Sequence, residues 1–84
     1  MSNQVITFEI ITPQSHKKIE VEWIEIESPS GSFVIGPNHL PLVSLVSRKG
    51  RLSFKLSDQS VESIYPSHGI FLVNNNYARA IVDI

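Results

Sequence analysis

The stretch from Ser30 to Val46 constrains this chain most, because two short apolar runs flank a turn built from Gly36, Pro37, Asn38 and His39. Gly36 can supply a positive φ, Pro37 holds φ near the value a turn needs at its first central residue, and Asn38 tolerates left-handed geometry. The chain therefore reverses here. Pro41 has no backbone N–H to give a ladder, which assigns it to a sheet edge or a bulge. Such a loop has a fixed shape, suited to presenting a surface to a partner or to closing the corner of a sandwich.

The remainder reads as strand. Ile6, Phe8 and Ile10 share one parity from Val5 to Ile11, with Thr7 and Glu9 on the other, and Pro13-Gln14-Ser15 ends the run. From Ile19 to Glu27, the residues Ile19, Val21 and Trp23 share one parity and Ile24 and Ile26 continue on the opposite one. That switch requires a bulge or a strand that passes between sheets. Glu20, Glu22, Glu25 and Glu27 read as a solvated face, and Trp23 as core or, alternatively, as an interface anchor. Ser28 to Gly31 is a turn cluster, and Ser32 to Ile35 a short strand beyond it. Leu40, Leu42, Val43, Leu45 and Val46 lack clean alternation, the pattern of a strand covered on both faces.

Ser47 to Gly50 reads as a hairpin turn, and Leu52, Phe54 and Leu56 then alternate inward with Arg51, Ser53 and Lys55 outward. Ser57 to Ser60 turns the chain again, Val61 to Tyr65 is a weaker strand stopped by Pro66, and Ile70 to Val73 is apolar throughout. Asn74, Asn75 and Asn76 make a hairpin tip, since Asn accepts left-handed dihedrals at little cost. The returning strand points Ala78, Ala80, Val82 and Ile84 to one face. No window holds a helical period, so the expected fold is an all-β two-sheet sandwich or barrel, in one domain over residues 1–84.

Composition narrows the function. Seven Lys and Arg against eight Asp and Glu leave a net charge of -1, which gives no field to attract nucleic acid or an anionic membrane. The absence of cysteine removes disulfide frameworks and thiol chemistry. No apolar window approaches the roughly 20 residues of a membrane-spanning helix, so membrane association is expected only through another subunit. His16, His39 and His68 show no repeated ligand spacing, no serine sits in a nucleophile elbow, and Gly31 and Gly36 form no phosphate loop. No catalytic residue, cofactor, metal or small-molecule substrate is expected. His39 is the best candidate for a partner contact; its other reading is a loop histidine bonded to nearby backbone. Phe33 suits core or surface equally.

In order, Ile11-Thr12-Pro13, Val21-Glu22-Trp23-Ile24, Ser30-Gly31-Ser32-Phe33, Pro37-Asn38-His39-Leu40-Pro41-Leu42, and His68 to Val73 followed by three asparagines resemble the N-terminal domain of the epsilon subunit of F-type ATP synthases. The resemblance covers nearly the whole chain, and His39-Leu40-Pro41-Leu42 is its most specific part. It implies a β-sandwich of about ten strands at the foot of the central stalk, a non-catalytic rotor subunit that couples the gamma subunit to the membrane c-ring. It implies a peripheral place on the cytoplasmic face of the inner (plasma) membrane. By the same resemblance, Ser30, Gly31, Ser32 and Phe33 face the c-ring, while Thr12, His39 and Ser44 lie near gamma. Ser32 stands where the family usually has an acidic residue, Asn38 where glycine is frequent, and a glycine common near Lys17 and Lys18 is missing. Family members normally continue into a helical hairpin that carries inhibition of ATP hydrolysis, and that activity is not expected of these 84 residues. The alternative reading is a diverged sandwich that binds another protein through the same loop end.

Overall fold

The structure, a computed structural model, describes residues 5–84, which form eight strands and no helix. They are β1 (Ile6–Ile11), β2 (His16–Ser28), β3 (Gly31–Ile35), β4 (His39–Val46), β5 (Leu52–Leu56), β6 (Val61–Ile64), β7 (His68–Asn75) and β8 (Tyr77–Asp83). The hydrogen-bonded order is β4-β7-β8-β1-β2-β5-β6, with β3 also on β2. Every pairing is antiparallel except β1 with β8.

The 13-residue β2 belongs to both layers. Its first half pairs with β1, from Ile11↔His16 to Ile6↔Val21. Its second half pairs with β5, from Val21↔Leu56 to Ile26↔Leu52, and with β3, from Ile24↔Ile35 to Ser28↔Gly31. Val21 has partners on both sides, so β1 and β3 follow one another along one edge of β2 while β5 takes the other. The sheet folds over along this strand into a layer of β4, β7, β8, β1 and the start of β2, facing a layer of β3, the end of β2, β5 and β6. The smallest dimension, 19 Å, is that of two sheets about 10 Å apart plus their outer side chains. The expected parity switch is a register slip between Val21 and Trp23, which allows Val21 and Ile24, three positions apart, both to be fully buried.

Phe8 joins the two layers. Its ring meets Phe54 of β5 edge-on at 5.4 Å between centroids and Phe71 of β7 at 6.2 Å, both within the range of favourable aromatic pairs. Large rings sit beside small neighbours: Phe8 is opposite Ala78 and Phe71 opposite Ala80, so β8 leaves room in the middle of its layer. Ile6, Ile10, Val21, Ile24, Ile26, Ile35, Val46, Leu52, Val73 and Val82 fill the rest of the core.

Several expectations are corrected. Trp23 is only half-buried, because the slip leaves it on the far side of the strand from Ile24. The β4 run is not covered on both faces: β4 is the last strand of its layer, and Leu40, Val43 and Leu45 are 78%, 68% and 59% exposed. Ser47 to Gly50 does not close a hairpin, since β4 pairs with β7 and β5 with β2 and β6; it is a tight crossing between layers, with Lys49 at φ 57° and the Gly50 N–H donating to the Ser47 carbonyl at 2.8 Å. In the central turn Asn38, not Gly36, takes the left-handed conformation, at φ 60°. Ile84 is exposed. The eight described strands are close to the number of about ten that the resemblance implies. Pro41 does lie on an edge strand, within a register slip between His39 and Leu42.

Phe8→Ala is expected to lower unfolding free energy by about 3–5 kcal/mol in urea titration, and Trp23→Ala by clearly less, reversing the order that strand parity alone suggests. A Cβ at Gly69 would stand 2.5 Å from the Val82 Cγ1 and 2.8 Å from the Ile81 carbonyl. Gly69→Ala should therefore cost roughly 1–3 kcal/mol by the same measurement.

Candidate functional site

The cross-strand register aligns side chains on the outer face of the first layer into rows. Leu45 is opposite Ile70, Ile70 opposite Ile81 and Ile81 opposite Ile11. Beside this apolar row run Val43, Leu72, Arg79 and Glu9, each opposite the next. Val43, Leu45, Ile70, Tyr77 and Ile81 are all exposed, with Leu72 and Ile11 half-buried between them. Single exposed apolar residues are ordinary on a protein surface; a contiguous field across three strands marks a place where another surface packs. A groove of about 370 Å³ crosses it, lined by Leu42, Val43, Leu72, Val73, Tyr77 and Arg79 among others.

A polar clamp bounds the field on the β1 side. The Glu9 carboxylate is almost fully buried on the outward side of β1, where the Tyr77 hydroxyl and the Arg79 Nε–H, the latter at 3.0 Å, both donate to its Oε1. The His16 Nε2 meets its other oxygen. These donors hold the carboxylate in its charged form, the Tyr77 hydroxyl most strongly and His16 next, and its pKa falls to about 2 despite burial. Tyr77 and Arg79 are thereby fixed in place at the rim of the groove, with the guanidinium 5.9 Å from the tyrosine ring centroid. Among the described residues no cluster of three His, Cys, Asp or Glu side chains gathers where it could hold a metal, and every buried side-chain polar atom is satisfied.

The residues singled out by sequence fall in three places. Ser30, Gly31 and Ser32 form the exposed β2–β3 tip, with Gly31 at φ 131° and the Ser28 hydroxyl donating to the Gly31 carbonyl at 2.7 Å. Phe33 packs half-buried against the core, and Ser44 joins it and the tip around a groove of about 350 Å³. Arg48 and Lys49 lie exposed beside the same tip. His39 stands at the other end of β4, opposite Asn75, with its Nδ1–H donating to the Leu40 carbonyl at 2.7 Å. Thr12 lies beyond the end of β1, where its hydroxyl accepts the Ser15 N–H at 3.0 Å and serves the turn. Thr12, His39 and Ser44 thus do not converge on one spot. Strand alternation does not single out the outer-face residues, because the Leu40 to Val46 run fits a strand covered on both faces and the Ile70 to Val73 run carries no alternation. The signal was there: Ile70 to Val73 and Leu42 to Leu45 place apolar residues on both parities, more than a chain of this size can bury.

The Glu9 clamp gives a sign to the acid sensitivity of the fold. A folded pKa of about 2, against 4.5 for a free glutamate, means a contribution fully present above pH 4.5 that is lost as pH falls toward 2. Urea midpoints measured from pH 6 to pH 2.5 should fall in the native protein, and Glu9→Gln should remove part of that fall while lowering stability at pH 6.

With this geometry in view, the comparisons with known proteins are consistent. The sequence model of the family described as ATP synthase, Delta/Epsilon chain, beta-sandwich domain matches residues 5–84. No individually curated protein matches the chain in sequence. Among solved structures, a chain of the Euglena gracilis mitochondrial ATP synthase, OSCP/F1/c-ring in rotational state 1, superposes with a TM-score of 0.85 over 98% of this chain at 16% identity. A chain of the Tetrahymena thermophila mitochondrial ATP synthase, central stalk/c-ring, superposes with a TM-score of 0.76 over 100% of this chain at 13% identity. At these identities the likeness is one of fold, and this chain spans 52% of the first and 67% of the second. The family match, running from the first described strand to the last, places the chain in the ATP synthase delta/epsilon family as its β-sandwich domain.

Proposed function

We propose that this domain is a non-catalytic element of the central stalk of an F-type ATP synthase, packing against the gamma subunit through the outer face of β4, β7 and β8 and reaching the c-ring with the β2–β3 tip. The observation that carries the reading is the apolar field of Val43, Leu45, Ile70, Leu72 and Ile81 on a chain of this family. A face of that kind suits a long-lived interface whose centre is dry and apolar and whose rim is polar. Tyr77 and Arg79, residue types favoured where interfaces bind most tightly, are held at its edge by Glu9. The role needs rigidity, and a two-layer sandwich with a filled core supplies it.

At the tip the contact would differ in charge from that of relatives with an acidic residue after the turn glycine. Ser32 offers a hydroxyl, and Arg48 and Lys49 stand beside it. The ring loops met here would be polar or acidic, and attachment to the membrane would come through the other subunits.

Retention of the domain on immobilised gamma, alone and with a c-ring preparation, tests this. Leu45→Asp should cut retention on gamma by at least about tenfold while the melting temperature changes little, because this side chain lies on an edge strand and already faces water. Ser32→Ala with Arg48→Ala should weaken only the ring-dependent part. Full retention of the aspartate variant would move the interface to another face, and no retention of the unaltered domain would favour a sandwich that serves a different partner.

A further inference from the structure

Asn76 does more than turn a hairpin. Its backbone carbonyl accepts the Thr7 N–H at 2.9 Å, which ties the β7–β8 tip to β1. Its side chain reaches the central turn 38 residues away: the Asn38 backbone N–H donates to the Asn76 Oδ1 at 2.6 Å, and the Asn76 Nδ2 donates to the Asn38 Oδ1 at 3.0 Å. One amide side chain thus meets both a donor and an acceptor of the residue that holds the turn in its left-handed conformation. The turn needs such support. Between His39 and Leu42 the β4–β7 register slips, and Pro41 has no N–H to contribute, so regular ladder bonding is interrupted where the loop enters β4.

We infer that Asn76 is a positioning residue for the partner-facing loop: its reciprocal pairing with Asn38 presets the placement of His39, Leu40 and Pro41 before a partner arrives. Leu40, the most exposed large apolar side chain described, stands at the start of β4, where this turn leads into the strand. A loop held in its bound shape loses less conformational freedom on association, so the clasp acts on affinity without touching the partner. The link to gamma rests on the function proposed above; the effect on the loop does not.

The two are separated by measuring amide hydrogen exchange on the isolated domain and dissociation from gamma for the same variants. In Asn76→Ala, exchange of the Asn38 amide should accelerate by at least about tenfold, the scale of one lost hydrogen bond to a held acceptor, while amides of Leu72 and Val73 keep their protection. Dissociation from gamma should accelerate by a similar factor. Asn76→Asp keeps an acceptor for the Asn38 N–H, and Asn38 can rotate its amide to donate to the second oxygen, so both readouts should return toward the unaltered values. Asn38→Gly keeps the turn and the N–H but loses the side-chain acceptor, and should fall between them. Unchanged Asn38 exchange in Asn76→Ala, or failure of Asn76→Asp to restore it, overturns the clasp. If the unaltered domain does not bind gamma, the stalk reading fails and the exchange data alone decide the clasp.

Discussion

The whole architecture depends on one strand serving two layers. β2 is long enough to pair with β1 in its first half and with β3 and β5 in its second, and the slip after Val21 rotates its inward side so that both halves face the same core. Without that slip, a strand passing from Val21 to Ile24 would turn one of these residues to water. Phe8 then occupies the space between the layers, in edge-on contact with a ring from each. The alanines of β8 are small because these rings are large.

What this core leaves uncovered determines what the domain is suited to do. Among the described residues fifteen apolar side chains are buried between the layers, and the outer face of β4, β7 and β8 carries a second set that no part of the described chain covers. The layer has an apolar side for itself and an apolar side for something else. Glu9 marks the boundary: on the same face, one strand away from Arg79, the surface turns from apolar to charged and hydrogen-bonded. A buried carboxylate with three donors is held firmly in one geometry, so Tyr77 and Arg79 behave as fixed features of the surface.

Much of the fold was legible in the residues. Alternation gave the strands, the parity change after Trp23 gave the bulge, and Pro41 gave the edge. Connectivity was not legible, because a tight turn such as Ser47 to Gly50 looks the same whether it joins paired strands or crosses between layers; only the partners of β4 and β5 distinguish them. Trp23 was misplaced for a related reason: a bulge's existence can be inferred from parity, but the residue at which the strand rotates cannot. Of the candidate site, the Ser30 to Phe33 tip was legible as a turn, but Ser44, which the resemblance groups with Thr12 and His39, lines the groove beside that tip, while Thr12 and His39 make hydrogen bonds within their own turns. The outer face was hidden because an apolar run covered on both sides and one covered on a single side have the same sequence. The Asn38–Asn76 pair spans 38 residues, a separation at which no local pattern exists to be read.

The central proposal is that the outer face of β4, β7 and β8 is buried against gamma in the assembled ATP synthase. A photo-reactive residue placed at Leu45, and in a separate preparation at Val61 on β6 at the opposite end of the strand order, would be irradiated within intact ATP synthase. Cross-links to gamma are expected from position 45 and none from position 61. Efficient cross-linking from position 61, with none from position 45, would contradict the proposal.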